Sequence, residues 1–199
     1  NSGFAGGNNL GIDFALKKGK RVIYTSPIKA LSNQKFYDFT KEHKDLIGLM
    51  TGDVSINSNA PIIIMTTEIY RNMLLTNDEI IKDIHYVIFD EVHYINDYER
   101  GTVWEEAIIF SPKHIKFLCL SATISNVSEL AKWIESIKKE EVKIVKSDFR
   151  PVPLNHFVFY EKKLIPITDK KLLKIYEEYK DKRKISFNKK KKFKRENIP

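Results

Sequence analysis

The sequence predicts an α/β fold in which a mainly parallel sheet is flanked by helices. Two observations predict it. Five short runs are almost continuously apolar and rich in β-branched residues, as strands covered on both faces must be. Between them lie stretches whose apolar residues recur at three- and four-residue steps, the spacing of a helix face.

Taken in order, RVIYT at 21–25 is the first strand, and a helix is expected over about 28–43. PIIIMT at 61–66 is the second strand and runs directly into a helix over about 68–75. YVIFD at 86–90 and IKFLCL at 115–120 are the third and fourth strands. In 126–139, Val127, Leu130, Ala131, Ile134 and Ile137 fall on one helical face. Asn126 with Glu129 three residues later has the form of a capping box. VKIV at 142–145 completes the set of strands.

Composition sets the boundaries. At 199 residues, with 42% hydrophobic and 12% aromatic residues, the chain can bury a core and is not wholly disordered. No run approaches the roughly 18 apolar residues of a transmembrane helix, so no membrane association is expected. The opening NSGFAGGNNL lacks the basic-then-apolar order of a signal peptide, and an intracellular protein, nuclear or cytoplasmic, is expected. Cys119 is the sole cysteine, which fits a reducing compartment and leaves no pair for a disulfide or a Cys/His zinc site. His43, His85, His114 and His156 show no metal-ligand spacing.

The formal charge of +8 is local. Residues 180–199 hold ten Lys/Arg and two Asp/Glu, which leaves 24 of each sign in residues 1–179. The charge therefore gives no sign that the folded part binds nucleic acid through a broad basic face. Composition divides the chain into residues 1–160, an α/β domain, and 161–199, a charged helix over 170–184 followed by the Lys-rich run KKKKFKR. That run reads as a solvated linker or insertion, with electrostatic RNA contact or nuclear import as alternatives.

In an open parallel sheet, ligands bind beyond the carboxyl ends of the strands. Polar residues stand at four such places: Ser26-Pro27, Thr66-Thr67-Glu68, Asp90-Glu91-Val92-His93 and Ser121-Ala122-Thr123. Asp90-Glu91 is the most informative pair. Adjacent carboxylates at a strand end repel each other and lose hydration, which a magnesium-phosphate site turns to use. One carboxylate then holds Mg²⁺ through water, and the other takes a proton from the water attacking the γ-phosphorus. An exposed acidic pair capping the next helix is the structural alternative.

The wider text identifies a family. Asp-Glu-Val-His and a downstream Ser-Ala-Thr stand in order with TSPIKALSNQK (25–35), LMTGDVSIN (49–57), MTTEI (65–69), VIFDEVHY (87–94), ERGTVWEE (99–106), LSATI (120–124) and RPVPL (150–154). Over about residues 20–160 the chain resembles the first RecA-like domain of superkiller-type DExH-box RNA helicases of superfamily two, which feed the RNA exosome. SPIKALSNQK and the RG-x-VWEE text are narrower than the general helicase motifs and point to this subgroup.

The resemblance implies a RecA-like fold of the P-loop NTPase class, ATP and Mg²⁺ as cofactors, and single-stranded RNA and the exosome with its cofactor complex as partners. It implies that Asp90 positions Mg²⁺, that Glu91 activates the hydrolytic water, and that His93 links the nucleotide and RNA sides. Ser121, Ala122 and Thr123 would couple hydrolysis to domain movement. Ser26, Pro27, Lys29, Thr51, Gly52, Thr67 and Glu68 would contact the RNA backbone, where positioned amides and hydroxyls replace a basic face. Lys29 as a solvated helix residue, His93 as a core histidine and Thr51-Gly52-Asp53 as a simple turn are the structural alternatives. Trp104 reads as a core anchor rather than a stacking platform, because ERGTVWEE runs on into apolar AIIF.

The sequence departs from the family at its start. The family's phosphate-binding loop ends Gly-Lys-Thr, and its place is taken here by Gly3-Phe4-Ala5, with neither the lysine nor the Mg²⁺-ligating hydroxyl. The strand expected before that loop is missing as well. A truncated or replaced N-terminus is favoured over a relative that has lost nucleotide binding, since Asp90, Glu91, His93 and the Ser-Ala-Thr remain. The expectation is a monomeric domain, inactive alone without the loop and a second RecA-like domain supplying an arginine finger. A non-catalytic RNA- or cofactor-binding module is the alternative function.

Overall fold

The computed structural model describes residues 12–147 apart from 123 and 125, and 152–180 apart from 161, 171, 173 and 177–179. Gly3-Phe4-Ala5 and the run 189–195 therefore lie outside the described residues. The chain divides into two compact units, Asn1–Ser147 and Asp148–Pro199.

The first unit is built on a six-stranded sheet. Its strands are β1 (Arg21–Ser26), β2 (Ile47–Met50), β3 (Ser55–Ile56), β4 (Ile62–Thr66), β5 (Ile84–Phe89) and β6 (Lys116–Cys119), in the spatial order β3-β2-β4-β1-β5-β6. Every pairing is parallel except that of β2 with β3, which form a hairpin. The α/β class and the mainly parallel sheet are as the sequence predicts. Helices α1 (Lys29–Glu42), α2 (Thr67–Leu75) and α3 (Gly101–Phe110) lie between the strands and α4 (Val127–Lys138) follows β6, with short 3₁₀ turns over Glu79–Asp83 and Val92–Asn96.

The period of two along each strand divides the core between the sheet's faces. Val22, Tyr24, Ile62 and Ile64 pack with Phe39 of α1 and with Ile12 and Ala15. Ile23, Ile63, Met65, Val87 and Phe89 pack on the other face with Tyr70 and Met73 of α2, Trp104 and Ala107 of α3, and Ile134 of α4. Because both faces are covered, the central strands read as unbroken apolar runs. Each such side chain, fully buried, contributes about 1.5–3 kcal/mol. Trp104 is a core anchor at 0% exposure, as the sequence suggests, and stacks on Tyr94 with ring centroids 5.8 Å apart.

Two local readings are corrected. Residues 142–145 form no strand: Val142 donates its amide to Glu135 Oε1 at 2.9 Å, and Val145 is 92% exposed. The run has no sheet neighbour among the described residues, and an apolar run without a partner ladder is not a strand. The expected capping box at Asn126 is also not formed. Asn126 spends its side-chain amide on the Glu129 carboxylate at 3.1 Å and caps no backbone N–H.

The second unit contains an antiparallel hairpin of β7 (Phe157–Tyr160) and β8 (Lys163–Pro166), a pairing the sequence did not signal. Tyr160, where composition suggests a boundary, ends β7 within this unit. Of the charged helix expected over 170–184, the described residues between 170 and 180 are helical.

Candidate functional site

The parallel strands β2, β4, β1, β5 and β6 all end at one edge of the sheet, so the polar residues that follow them share that edge. Asp90 is fixed there by three contacts. Its amide donates to Thr25 O at 3.0 Å, Tyr24 Oη donates to its Oδ2, and its Oδ1 accepts the Glu91 amide at 3.0 Å. Burial, and then the charge of Asp90, push the Tyr24 hydroxyl far above the ordinary tyrosine range, so it is a permanent donor.

Glu91 stands in the left-handed region at φ 53°, ψ 45°. A non-glycine residue there is uncommon and is held by its surroundings. The next amide, Val92 N–H, bonds Leu120 O at 2.9 Å, which ties this turn to the end of β6. The twist turns the Glu91 carboxylate toward His93, whose Nδ1 lies 3.2 Å from Glu91 Oε2. Ser121 Oγ lies 3.3 Å from the same nitrogen. Glu91 and Ser121 thus share one ring nitrogen of His93. With its side chain 33% exposed, His93 is not a core histidine.

Next along the edge, Ser26 Oγ meets Ser32 Oγ at 2.6 Å, and Thr67 Oγ1 donates to Ser26 O at 3.4 Å, joining the ends of β1 and β4. Thr51 and Gly52 form the turn of the β2–β3 hairpin, with Thr51 N–H bonded to Val54 O at 2.8 Å. They are both a turn and part of the shared edge. Lys29, at the start of α1, bonds Asp53 in the same turn at 2.5 Å, and this hydrogen bond holds the Asp53 carboxyl below its usual range. Ala122 is exposed after β6, and Thr123 lies outside the described residues.

One functional candidate was not singled out from the sequence. Arg100 Nη2 donates both to Pro27 O and to Glu68 Oε1. Its signal lay in the ERGTVWEE text, where the arginine precedes a glycine at which a side chain would press on neighbouring backbone. A Cβ on Gly101 would stand 2.3 Å from Ile95 O.

The donors suit a hard cation held mainly by phosphate oxygens and water. Asp90 offers one carboxylate, and no group of three or more His, Cys, Asp or Glu that could hold a metal occurs among the described residues. An all-protein cage is therefore not what these residues build.

Residues 9–130 match the family model described as DEAD/DEAH box helicase. The chain is similar to the DExH-box ATP-dependent RNA helicase DExH9 of Arabidopsis thaliana, at 53% identity over 148 residues, covering 74% of this chain and 15% of that protein. It is similar to the antiviral helicase SKI2 of Saccharomyces cerevisiae, at 52% over 157 residues, covering 78% and 12%. It is likewise similar to superkiller complex protein 2 of Homo sapiens, at 52% over 148 residues, covering 74% and 12%. It spans 12–15% of the length of these relatives. Among solved structures, the DUF1998 helicase MrfA bound to DNA and AMPPNP aligns with a TM-score of 0.54 at 20% identity, covering 68% of this chain and 22% of that one, a likeness of fold.

Proposed function

The chain belongs to the DEAD/DEAH box helicase family, and from that premise we propose that it is the ATP-binding domain of a superkiller-type RNA helicase. Such an enzyme couples ATP hydrolysis to translocation along single-stranded RNA and to unwinding, in exosome-linked RNA decay or processing inside the cell. The observation that carries this reading is the linkage along one sheet edge. Asp90 accepts the Glu91 amide, the Glu91 carboxylate reaches Ser121 through His93, and Ser121 follows the strand next to theirs.

Bound Mg²⁺–ATP would supply charge neutralisation at the β- and γ-phosphates, with Asp90 holding the metal through water. Glu91 would accept a proton from the attacking water. His93, held between Glu91 and Ser121, would report on the nucleotide to the end of β6. On the other half of the edge, Ser26, Pro27, Lys29, Thr51, Gly52, Thr67 and Glu68 would line the path of the RNA backbone. Hydroxyls and amides at strand ends bind phosphates without reading sequence, so a domain with no excess of positive charge could still take RNA.

The test is RNA-stimulated ATP hydrolysis by the full-length protein, wild type against Glu91→Gln. A drop of about 10²-fold or more with nucleotide binding retained is expected of a lost general base. A fluorescent ATP analogue with Mg²⁺, and Asp90→Ala as control, measures that binding. A protein that binds RNA but no nucleotide would instead be the non-catalytic module.

A further inference from the structure

Arg100 joins three parts of the site edge that the sequence keeps far apart. Its guanidinium donates to the Pro27 carbonyl after β1 and to the Glu68 carboxylate at the start of α2, 73 and 32 residues away. Its own backbone is fixed from the Asp90–Glu91 side. Asp97 Oδ1 accepts the amides of Glu99 at 3.0 Å and Arg100 at 2.9 Å, and Gly101 N–H bonds Asp97 O at 2.8 Å. Behind the guanidinium, Trp104 is wholly buried, with its ring 6.0 Å away. The Arg100 and Glu68 side chains are 33% and 31% exposed, so the pair is partly shielded and its geometry is held by packing on one side.

This arrangement answers an electrostatic difficulty. Glu68 sits among the residues expected to contact an RNA backbone, where an unpaired carboxylate would repel phosphate. Pairing with Arg100 cancels that charge. The same guanidinium fixes the Pro27 carbonyl, and so the loop leading to Lys29. Both bonds leave Nη2, whose two N–H groups are held at fixed directions in the guanidinium plane; a lysine ammonium at position 100 has donors enough but no plane to fix their directions.

We propose that Arg100 is a positioning residue that locks the β1 and β4 strand ends to the segment following Asp90–Glu91, so that the hold on single-stranded RNA depends on its guanidinium. The proposal rests on the RNA-binding reading given above. Arg100 acts through Pro27 and Glu68 and is not itself a catalytic residue.

The experiment measures, in the full-length protein, the dissociation constant for a fluorescent single-stranded RNA and the affinity for a fluorescent ATP analogue. The variants are Arg100→Ala, Arg100→Lys, Glu68→Gln, and Arg100→Ala combined with Glu68→Gln. The expected result is about tenfold weaker RNA binding for Arg100→Ala, incomplete rescue by lysine, and unchanged nucleotide affinity. Glu68→Gln keeps an acceptor oxygen but loses the charge that strengthens the bond to Arg100, so it should weaken RNA binding too, though less than Arg100→Ala, and the double variant should be no weaker than the worse single one, because both changes act on the same link. RNA binding by Arg100→Ala at the wild-type level would overturn the proposal. So would a Glu68→Gln protein indistinguishable from wild type, a result that stands even if Arg100→Ala folds poorly. Wild-type protein that fails to bind RNA would overturn the functional reading itself, and the proposal with it.

Discussion

Tyr24, from the middle of β1, donates its hydroxyl hydrogen to the carboxylate of Asp90 at the end of β5, 66 residues away. The ring is wholly buried and meets Phe39 edge-on at 5.5 Å, so the hydroxyl cannot swing away. Since the Glu91 amide takes the other Asp90 oxygen, the carboxylate plane is set from both sides. Tyr24→Phe keeps the ring packing and removes only the donor. We expect a stability loss of about 1.5–3 kcal/mol, the worth of a hydrogen bond to a charged group, and a higher Mg²⁺ concentration for half-maximal ATP hydrolysis. A Mg²⁺ titration of wild type and Tyr24→Phe checks this, and superimposable curves would refute a positioning role for the hydroxyl.

Stability should fall on the alkaline side. Burial raises the hydroxyl pKa of both Tyr24 and Tyr70 well above the usual value. The unfolded chain releases these protons from about pH 10, while the folded chain keeps them. The folded state then binds more protons than the unfolded one, so the tyrosines' contribution to unfolding free energy declines as pH rises past that point, while the buried Cys119 thiol, pushed up to about 12, adds a decline of the same sign that begins at lower pH. Urea midpoints measured from pH 8 to 11 should show the decline, and Tyr24→Phe and Tyr70→Phe should each make it shallower.

Much of the site edge could be read from sequence because each parallel strand ends where an apolar run meets polar residues. YVIF stops at Asp90 and IIIM stops at Thr66-Thr67, and no tertiary knowledge is needed to see it. What escaped depends on partners distant in sequence. IGLM at β2 has too few β-branched residues to announce a strand, yet it pairs with β4 from Ile47 to Met50. VKIV at 142–145 has the composition of a strand but no neighbour to pair with among the described residues. Helix α3 opens on glycine and carries apolar residues around most of its circumference, which blurs its period. Arg100 shows nothing in its local sequence that specifies Pro27 and Glu68 as its partners.

Gly101 starts α3 because a side chain has no room there. An added Cβ would lie 2.3 Å from Ile95 O, and the obstacle is backbone that cannot rotate aside. Gly101→Ala should therefore destabilise the domain by about 1–3 kcal/mol as overpacking does, despite alanine's better helix propensity. Denaturant unfolding of wild type and Gly101→Ala measures this. A stabilised alanine variant would show that the turn at 95–101 yields easily, and would weaken the case that this turn holds Arg100 in place.

Lys29 and Asp53 set a competition that RNA should expose. Both side chains are largely exposed, at 49% and 63%, and their bond ties the start of α1 to the Thr51-Gly52 turn. The bond to Lys29 lowers the Asp53 pKa, so the carboxylate stays ionised further into acid than a free aspartate does, and the pair is intact at neutral pH and lost only in acid. At neutral pH, then, Lys29 reaches a phosphate only by leaving Asp53, or by sharing its ammonium between the two. Asp53→Asn removes the competitor without removing the cation. It should tighten single-stranded RNA binding severalfold at low salt, and the gain should vanish as ionic strength screens exposed charges. Lys29→Ala should weaken binding and flatten the dependence of log K on log salt by about 0.7, the contribution of one phosphate contact to a single strand. If Asp53→Asn left RNA affinity unchanged at every salt concentration while Lys29→Ala lowered it, Lys29 would bind RNA with Asp53 still in place. If neither variant altered affinity, Lys29 would be the solvated helix residue that its exposure alone suggests.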